Sequence, residues 1–271
     1  MKHISRIYTA LILFFLYAPL AVMVVFSFNS KRSTSVFGGF SLKWYSELFK
    51  DSSTITALRN TIILAVLSAI IATLLGTLSA VGIFNMRKKW LKSSIMTVTN
   101  IPMMNPDIVT GISLMLLFVF IGHTLGSKNS LGFGTMLIAH ITFNLPYVIL
   151  SVLPKLQQTD SHLSEAAMDL GCTPVKSFFK VVLPSIMPGI VSGLIMSFTL
   201  SLDDFVISYF TTGPDFQTLP IKIFSMTKRR VTPDMYALST LIFLSVLVLL
   251  ILINLAQANA EKKKGDTLNE I

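Results

Sequence analysis

The chain has 271 residues, 52% hydrophobic and only 13% charged, with a mean hydropathy of +0.71. A soluble domain of this length carries roughly 25% charged residues to cover its core, so lipid rather than water is the expected solvent. The formal charge of +9 is scattered between apolar blocks, as membrane anchors are, which argues against a nucleic-acid partner, and the single cysteine, Cys172, excludes an internal disulfide and a cysteine-based metal site.

A membrane-spanning helix needs about 20 mostly apolar residues. Residues 8–28 carry no charge and give the first span. Lys2 and Arg6 precede it as in a signal peptide, but the run is long for one and no A-x-A-like cleavage site follows, so the helix is expected to be retained. Residues 61–84 form the second span. The third, 93–122, is interrupted by Pro102, Pro106 and Asp107, and the fourth, 131–153, is broken only by His140 and Pro146. Residues 184–210 and 235–260 make the fifth and sixth. The expected fold is therefore a single all-α transmembrane domain over 1–271, with six helices and both termini on one side.

Short loops orient it. Arg87, Lys88, Lys89 and Lys92 crowd the loop after the second span, the loop after the third offers only Lys128, and the tail adds Lys262, Lys263 and Lys264. Basic short loops stay inside, so both termini are expected to be cytoplasmic. Small residues recur every four positions on two spans: Ser68, Ala72, Gly76 and Ala80, and Gly189, Gly193, Ser197 and Ser201. Such stripes let backbones approach closely, more often within one subunit than between two.

The loop between the fourth and fifth spans, about 154–183, reads as two short helices. Leu163, Ala166, Ala167 and Leu170 recur at helical spacing; Gly171 suits a C-terminal stop, Thr173 an N-cap and Pro174 a first helical turn. Val175, Phe178, Phe179 and Val182 then form a second apolar face. A small-residue surface followed by a hydrophobic wedge fits a groove in another protein. An interfacial helix pair lying on lipid would show the same periodicity.

The run Glu165-Ala166-Ala167, then Gly171, then Leu183-Pro184, resembles the EAA signature of bacterial ABC-importer permeases. Cys172 departs from it, standing where the family usually has alanine. The resemblance implies the type I importer permease fold, with the loop docking as a coupling helix into a cleft of a cytoplasmic ATPase. It also implies that Glu165, Ala166, Ala167, Asp169, Gly171, Pro174, Leu183 and Pro184 serve that coupling rather than catalysis. A P-loop needs a Gly-Lys pair, and the chain contains none, so ATP and Mg are expected on a partner and no cofactor or metal on this chain.

More of the sequence resembles one branch of that family, the C-type permeases of spermidine/putrescine importers. The resemblance includes Lys43-Trp44-Tyr45, the run from Asn105 to Val109, His140-Ile141-Thr142-Phe143, the run from Ser197 to Asp204, Thr212-Gly213-Pro214 and Leu219-Pro220. It implies a bacterial inner-membrane location, a sister permease, two copies of the ATPase and an extracytoplasmic polyamine-binding protein.

The residues themselves give a separate reason to expect a cationic cargo. An aspartate inside a span costs about 2.5–3.5 kcal/mol to insert and usually faces a cavity or a partner. Asp107 lies about 15 residues into the third span, roughly 22 Å up, and Asp203 and Asp204 lie roughly 22–30 Å up the fifth, so all three are expected in the outer half. Adjacent helical residues point about 100° apart, so Asp203 and Asp204 cannot face one site equally. Asp204 lies three residues from Ser201, near the small-residue stripe, where it can pair within the protein. His140 reads as a satisfied bundle histidine, and Lys228, Arg229 and Arg230 as a solvated or partner-facing run.

Three rivals differ in cargo or class. A related permease for another amine, an opine or a metal complex would share the EAA loop. An intramembrane aspartyl protease would use Asp107 and Asp203 as a dyad, but the Gly-x-Gly-Asp context is absent. A self-sufficient secondary transporter or channel would be expected to carry an inverted repeat, and none is obvious.

Overall fold

The computed structural model describes residues 2–32, 36–126, 130–228, 233–248 and 251. Among them the regular structure is helical, apart from one isolated antiparallel bridge between Asn29 and Phe40. In chain order the helices are α1 (Lys2–Ser27), α2 (Lys43–Lys50), α3 (Ser52–Phe84) and α4 (Lys89–Met104), then α5 (Asp107–Thr124) and α6 (Phe133–Gln158). There follow α7 (Ser161–Asp169), α8 (Pro174–Ser177), α9 (Leu183–Asp203), α10 (Val206–Thr211), α11 (Leu219–Thr227) and α12 (Pro233–Val248). Among the described residues five helical stretches are long and apolar enough to cross a membrane: 6–27, 52–84, 107–124, 133–158 and 174–203.

The chain divides into two compact units. The first comprises residues 1–55 and 223–271. The most apolar stretch of α1 has none of its residues buried within the chain, so lipid or another protein must cover it. Asn29 organises the turn that follows α1. Its Oδ1 accepts from the Gly38 amide at 2.7 Å, its Nδ2 donates to the Val36 carbonyl at 2.9 Å, and its own carbonyl accepts from Trp44 Nε1 at 2.6 Å. Trp44 and Leu48 are the buried face of α2. α12 covers the start of the expected sixth span; residues 249, 250 and 252–260 lie outside the described residues.

The second unit, residues 56–222, is built on α6, which packs against α3 and α9. Every residue of both small-residue stripes is buried, and both stripes meet α6. A Cβ on Gly76 would lie 2.6 Å from Val148 Cγ1, and one on Gly193 would lie 3.3 Å from Val148 Cα. A Cβ on Gly189 would lie 2.7 Å from the Ser151 carbonyl. The stripes thus serve packing inside this chain, with Ile83, Ile149, Val152, Leu156 and Ile186 filling the apolar core beside them. At the starting ends of α3 and α6 the return from α10 to α11 is pinned. Thr135 Oγ1 donates to the Thr211 carbonyl at 3.0 Å, and the Leu219 amide donates to Thr61 Oγ1 at 2.7 Å.

Three expectations are corrected in detail. The stretch 93–122 is not one interrupted helix but parts of two, α4 and α5. Asn105 is held extended by the proline after it, and Pro106 starts the new helix at Asp107. Residues 184–210 are likewise not one helix: α9 ends at Asp203, Asp204 is extended, and α10 begins after Phe205. The 154–183 loop is shorter than expected. α6 runs on to Gln158, and α8 passes through a π-helical turn, Phe178–Val182, into α9, leaving a short elbow around α7. Lys128, Arg229, Arg230 and the tail lysines lie outside the described residues.

Candidate functional site

The elbow forms as local chemistry dictates. Asp160 caps α7 through Oδ1, which accepts from the His162 amide at 2.9 Å. Gly171 ends it at φ +88°, the left-handed conformation that a side chain disfavours, with its amide on the Met168 carbonyl at 2.9 Å and that of Cys172 on Ala167 at 3.0 Å. Thr173 then caps α8, with Pro174 in the first turn. Ser164 and Ser177 tie the two helices together, Oγ to Oγ at 2.9 Å, and Ser177 Oγ also reaches the Ser164 carbonyl at 3.2 Å.

This elbow presents its coupling candidates outward. Glu165, Ala166, Asp169, Gly171, Pro174 and Pro184 are exposed, and Ala167 and Leu183 are half-buried. Apolar side chains stand exposed among them: Leu170 is 87% exposed, and Leu163, Val175 and Phe179 are each half or more exposed. Glu165 is steadied by His162, whose Nδ1 lies 3.2 Å from its carboxylate. Exposed apolar groups of this size need a cover, which either a protein groove or the lipid interface can supply.

The second region is the break between α9 and α10. Asp204 turns inward, its side chain 9% exposed. Its Oδ1 accepts from the Ile207 amide at 3.2 Å and its Oδ2 from the Ser208 amide at 2.8 Å, capping the start of α10. Oδ2 also lies 3.4 Å from Nε2 of His140, which is 2.9 Å from Ser208 Oγ. Asp203, one residue earlier, is exposed and makes no ion pair among the described residues. One turn below, Asn144 donates to Ser201 Oγ at 2.7 Å and Ser68 joins Ser201 at 2.9 Å, fixing α9 against α6 and α3.

Asp107 comes from a different helix. It opens α5, exposed and without an ion pair among the described residues. Tyr147 lies seven positions beyond His140 on α6. Tyr147 stacks at a tilt on Phe143, ring centroids 5.5 Å apart.

Sequence reasoning passed over Asn144, Tyr147 and Ser208. An amide in the apolar fourth span was a usable signal for Asn144, since a buried amide needs partners. Ser208 carried none, because its role depends on the helix break. Among the described residues no group of three or more His, Cys, Asp or Glu is placed to hold a metal ion.

The family described as "Binding-protein-dependent transport system inner membrane component" matches residues 72–265. The putrescine transport system permease protein PotI of Escherichia coli K12 is 40% identical over 92% of this chain and 89% of its own length. The spermidine/putrescine transport system permease protein PotC of the same strain is 40% identical over 93% of this chain and 92% of its own. A PotC homolog of Mycoplasma genitalium is 34% identical over 96% and 93%. Among solved structures, a bacterial ABC transporter involved in import of the acidic polysaccharide alginate superposes with a TM-score of 0.71 at 16% identity, over 93% of this chain and 92% of that one. The MetNI methionine ABC transporter superposes at 0.59 and 18% identity, over 79% and 95%. At those identities the structures speak for the fold alone.

Proposed function

This chain belongs to the binding-protein-dependent transport system inner membrane components, the multi-pass permease subunits of ABC importers, and from that premise we propose that it carries polyamines such as putrescine and spermidine across the bacterial inner membrane. The observation that carries the cargo reading is Asp203, an exposed, unpaired carboxylate at the end of an apolar helix. Such a group is costly in lipid and stable where a cation-conducting cavity hydrates it. Asp107, a second exposed carboxylate without an ion pair among the described residues, suits a cargo that carries more than one ammonium group. Asp204 is spent on the α9–α10 junction and acts from behind.

In this reading a sister permease completes the path, two copies of a cytoplasmic ATPase hydrolyse ATP with Mg, and an extracytoplasmic polyamine-binding protein delivers cargo. Both termini face the cytoplasm, and the elbow of Glu165, Ala166, Ala167, Asp169, Gly171 and Pro174 docks on the ATPase. The mechanism is alternating access. Motion of α7 passes through the Ser164–Ser177 tie to α8, the π-helical turn and Leu183-Pro184, and so to α9 and Asp203 at its far end.

The test is uptake by the assembled complex in vesicles, with putrescine, spermidine and an uncharged amino acid as competing solutes. Asp203→Asn is expected to raise the apparent KM for polyamines about tenfold. Unchanged polyamine uptake by that variant would remove the carboxylate from the path, and preference for another solute would reassign the cargo while leaving the family intact.

A further inference from the structure

The geometry points to His140 as a positioning residue for transport: by holding Asp204 inside the bundle, it keeps the α9–α10 break in the form that turns Asp203 outward. The inference rests on the reading of Asp203 as a path residue and adds to it a side chain that touches no cargo. His140 is 1% exposed. Its Nε2 lies between two groups from beyond the break, 3.4 Å from Asp204 Oδ2 and 2.9 Å from Ser208 Oγ. Its Nδ1 is buried with no hydrogen-bond partner. A proton on Nδ1 would be an orphaned buried donor, so the proton is assigned to Nε2, where the carboxylate and the hydroxyl can receive it.

The Asp204 carboxylate thereby joins three elements. It ends α9, caps α10 through the Ile207 and Ser208 amides, and meets α6 at His140. Successive helical residues point about 100° apart, so drawing Asp204 into the bundle sends Asp203 away from it. Ser201 is already anchored by Asn144 and Ser68, which leaves only the last turn of α9 free to twist. Without the imidazole, a nearly buried carboxylate would keep only its two amide donors, and burial of a charge so weakly compensated is costly. Twisting the last turn to expose Asp204 relieves that cost and withdraws Asp203 from the path.

The experiment uses the full complex in nanodiscs. Cys172→Ser with Asp203→Cys leaves one thiol on this chain, and its rate of reaction with a charged methanethiosulfonate reagent reports how position 203 is presented. His140→Ala is expected to slow labelling about tenfold, and His140→Gln, whose amide N–H can meet the same partners, to restore much of it. In uptake, His140→Ala is expected to raise the polyamine KM while the maximal rate of ATP hydrolysis is kept, and to add nothing in an Asp203→Asn background. Labelling unaffected by His140→Ala, or independent effects of His140→Ala and Asp203→Asn, would overturn the inference. If His140→Ala fails to assemble, Asp204→Asn carries the same labelling measurement, because its carbonyl can still cap α10; unaltered labelling then overturns it too. If Asp203→Asn leaves uptake unchanged, the path reading falls, and labelling alone still decides the orientation.

Discussion

Val148 of α6 and Gly76 of α3 approach so closely that a methyl group on the glycine would lie 2.6 Å from the valine Cγ1. Gly193 of α9 meets the backbone of the same valine from another helix, so Val148 is the shared contact of all three. Gly76→Ala is therefore expected to cost about 1–3 kcal/mol through overpacking and to lower the thermal midpoint of the detergent-solubilised protein by several degrees. Val148→Ala in the same chain should recover part of that loss, because the clash is with its side chain. Simple addition of the two penalties would mean that the helices separate instead.

The two adjacent aspartates should fail in different ways. Asp204→Ala removes the acceptor of two backbone amides and the partner of His140, and is expected to destabilise the fold by about 2–4 kcal/mol. Asp203→Ala breaks no ion pair among the described residues and no tie to another helix, so the fold should survive while transport suffers. Thermal unfolding and vesicle uptake, measured on both variants, separate the two roles. Equal losses of stability would contradict the assignment.

At the elbow, Gly171→Val forces a β-branched residue into a φ of +88°. Backbone strain of this kind costs on the order of 1–3 kcal/mol, and relieving it would unwind the junction between α7 and α8. Stimulation of ATP hydrolysis by the binding protein is expected to fall several-fold, and Gly171→Asn, which tolerates that conformation, should retain more of it. A fully coupled Gly171→Val complex would show that the turn does not matter.

Leu170 offers a direct reading of docking. Being 87% exposed in this chain, it contributes little to the fold, so Leu170→Asp should leave thermal stability within about 0.5 kcal/mol of the parent. The same change is expected to abolish co-purification of the ATPase if the elbow is its landing surface. Cys172, half-buried beside it, should crosslink to an ATPase cysteine to an extent that varies with nucleotide. Absence of a crosslink in every nucleotide state would place the ATPase elsewhere.

The all-helical membrane fold was legible in the residues because lipid leaves few choices: long apolar runs must be helices, and charges must stand at their ends. The stripes around Gly76 and Gly193 announced close packing for the same reason, since only small side chains let backbones meet. Gly171, Thr173 and Pro174 announced the elbow through local backbone preference, which needs no knowledge of the rest of the chain. Adjacent aspartates are different. Nothing in Asp203-Asp204 says which one turns inward, because that depends on an imidazole more than sixty positions away and on amides freed by a helix break. The splitting of 93–122 into α4 and α5 follows locally from Pro106, whereas the break after Asp203 depends on how the ends of neighbouring helices are tied. Long-range pairings such as His140 with Asp204 and Asn144 with Ser201 decide these matters, and such pairings exist only once the helices have packed.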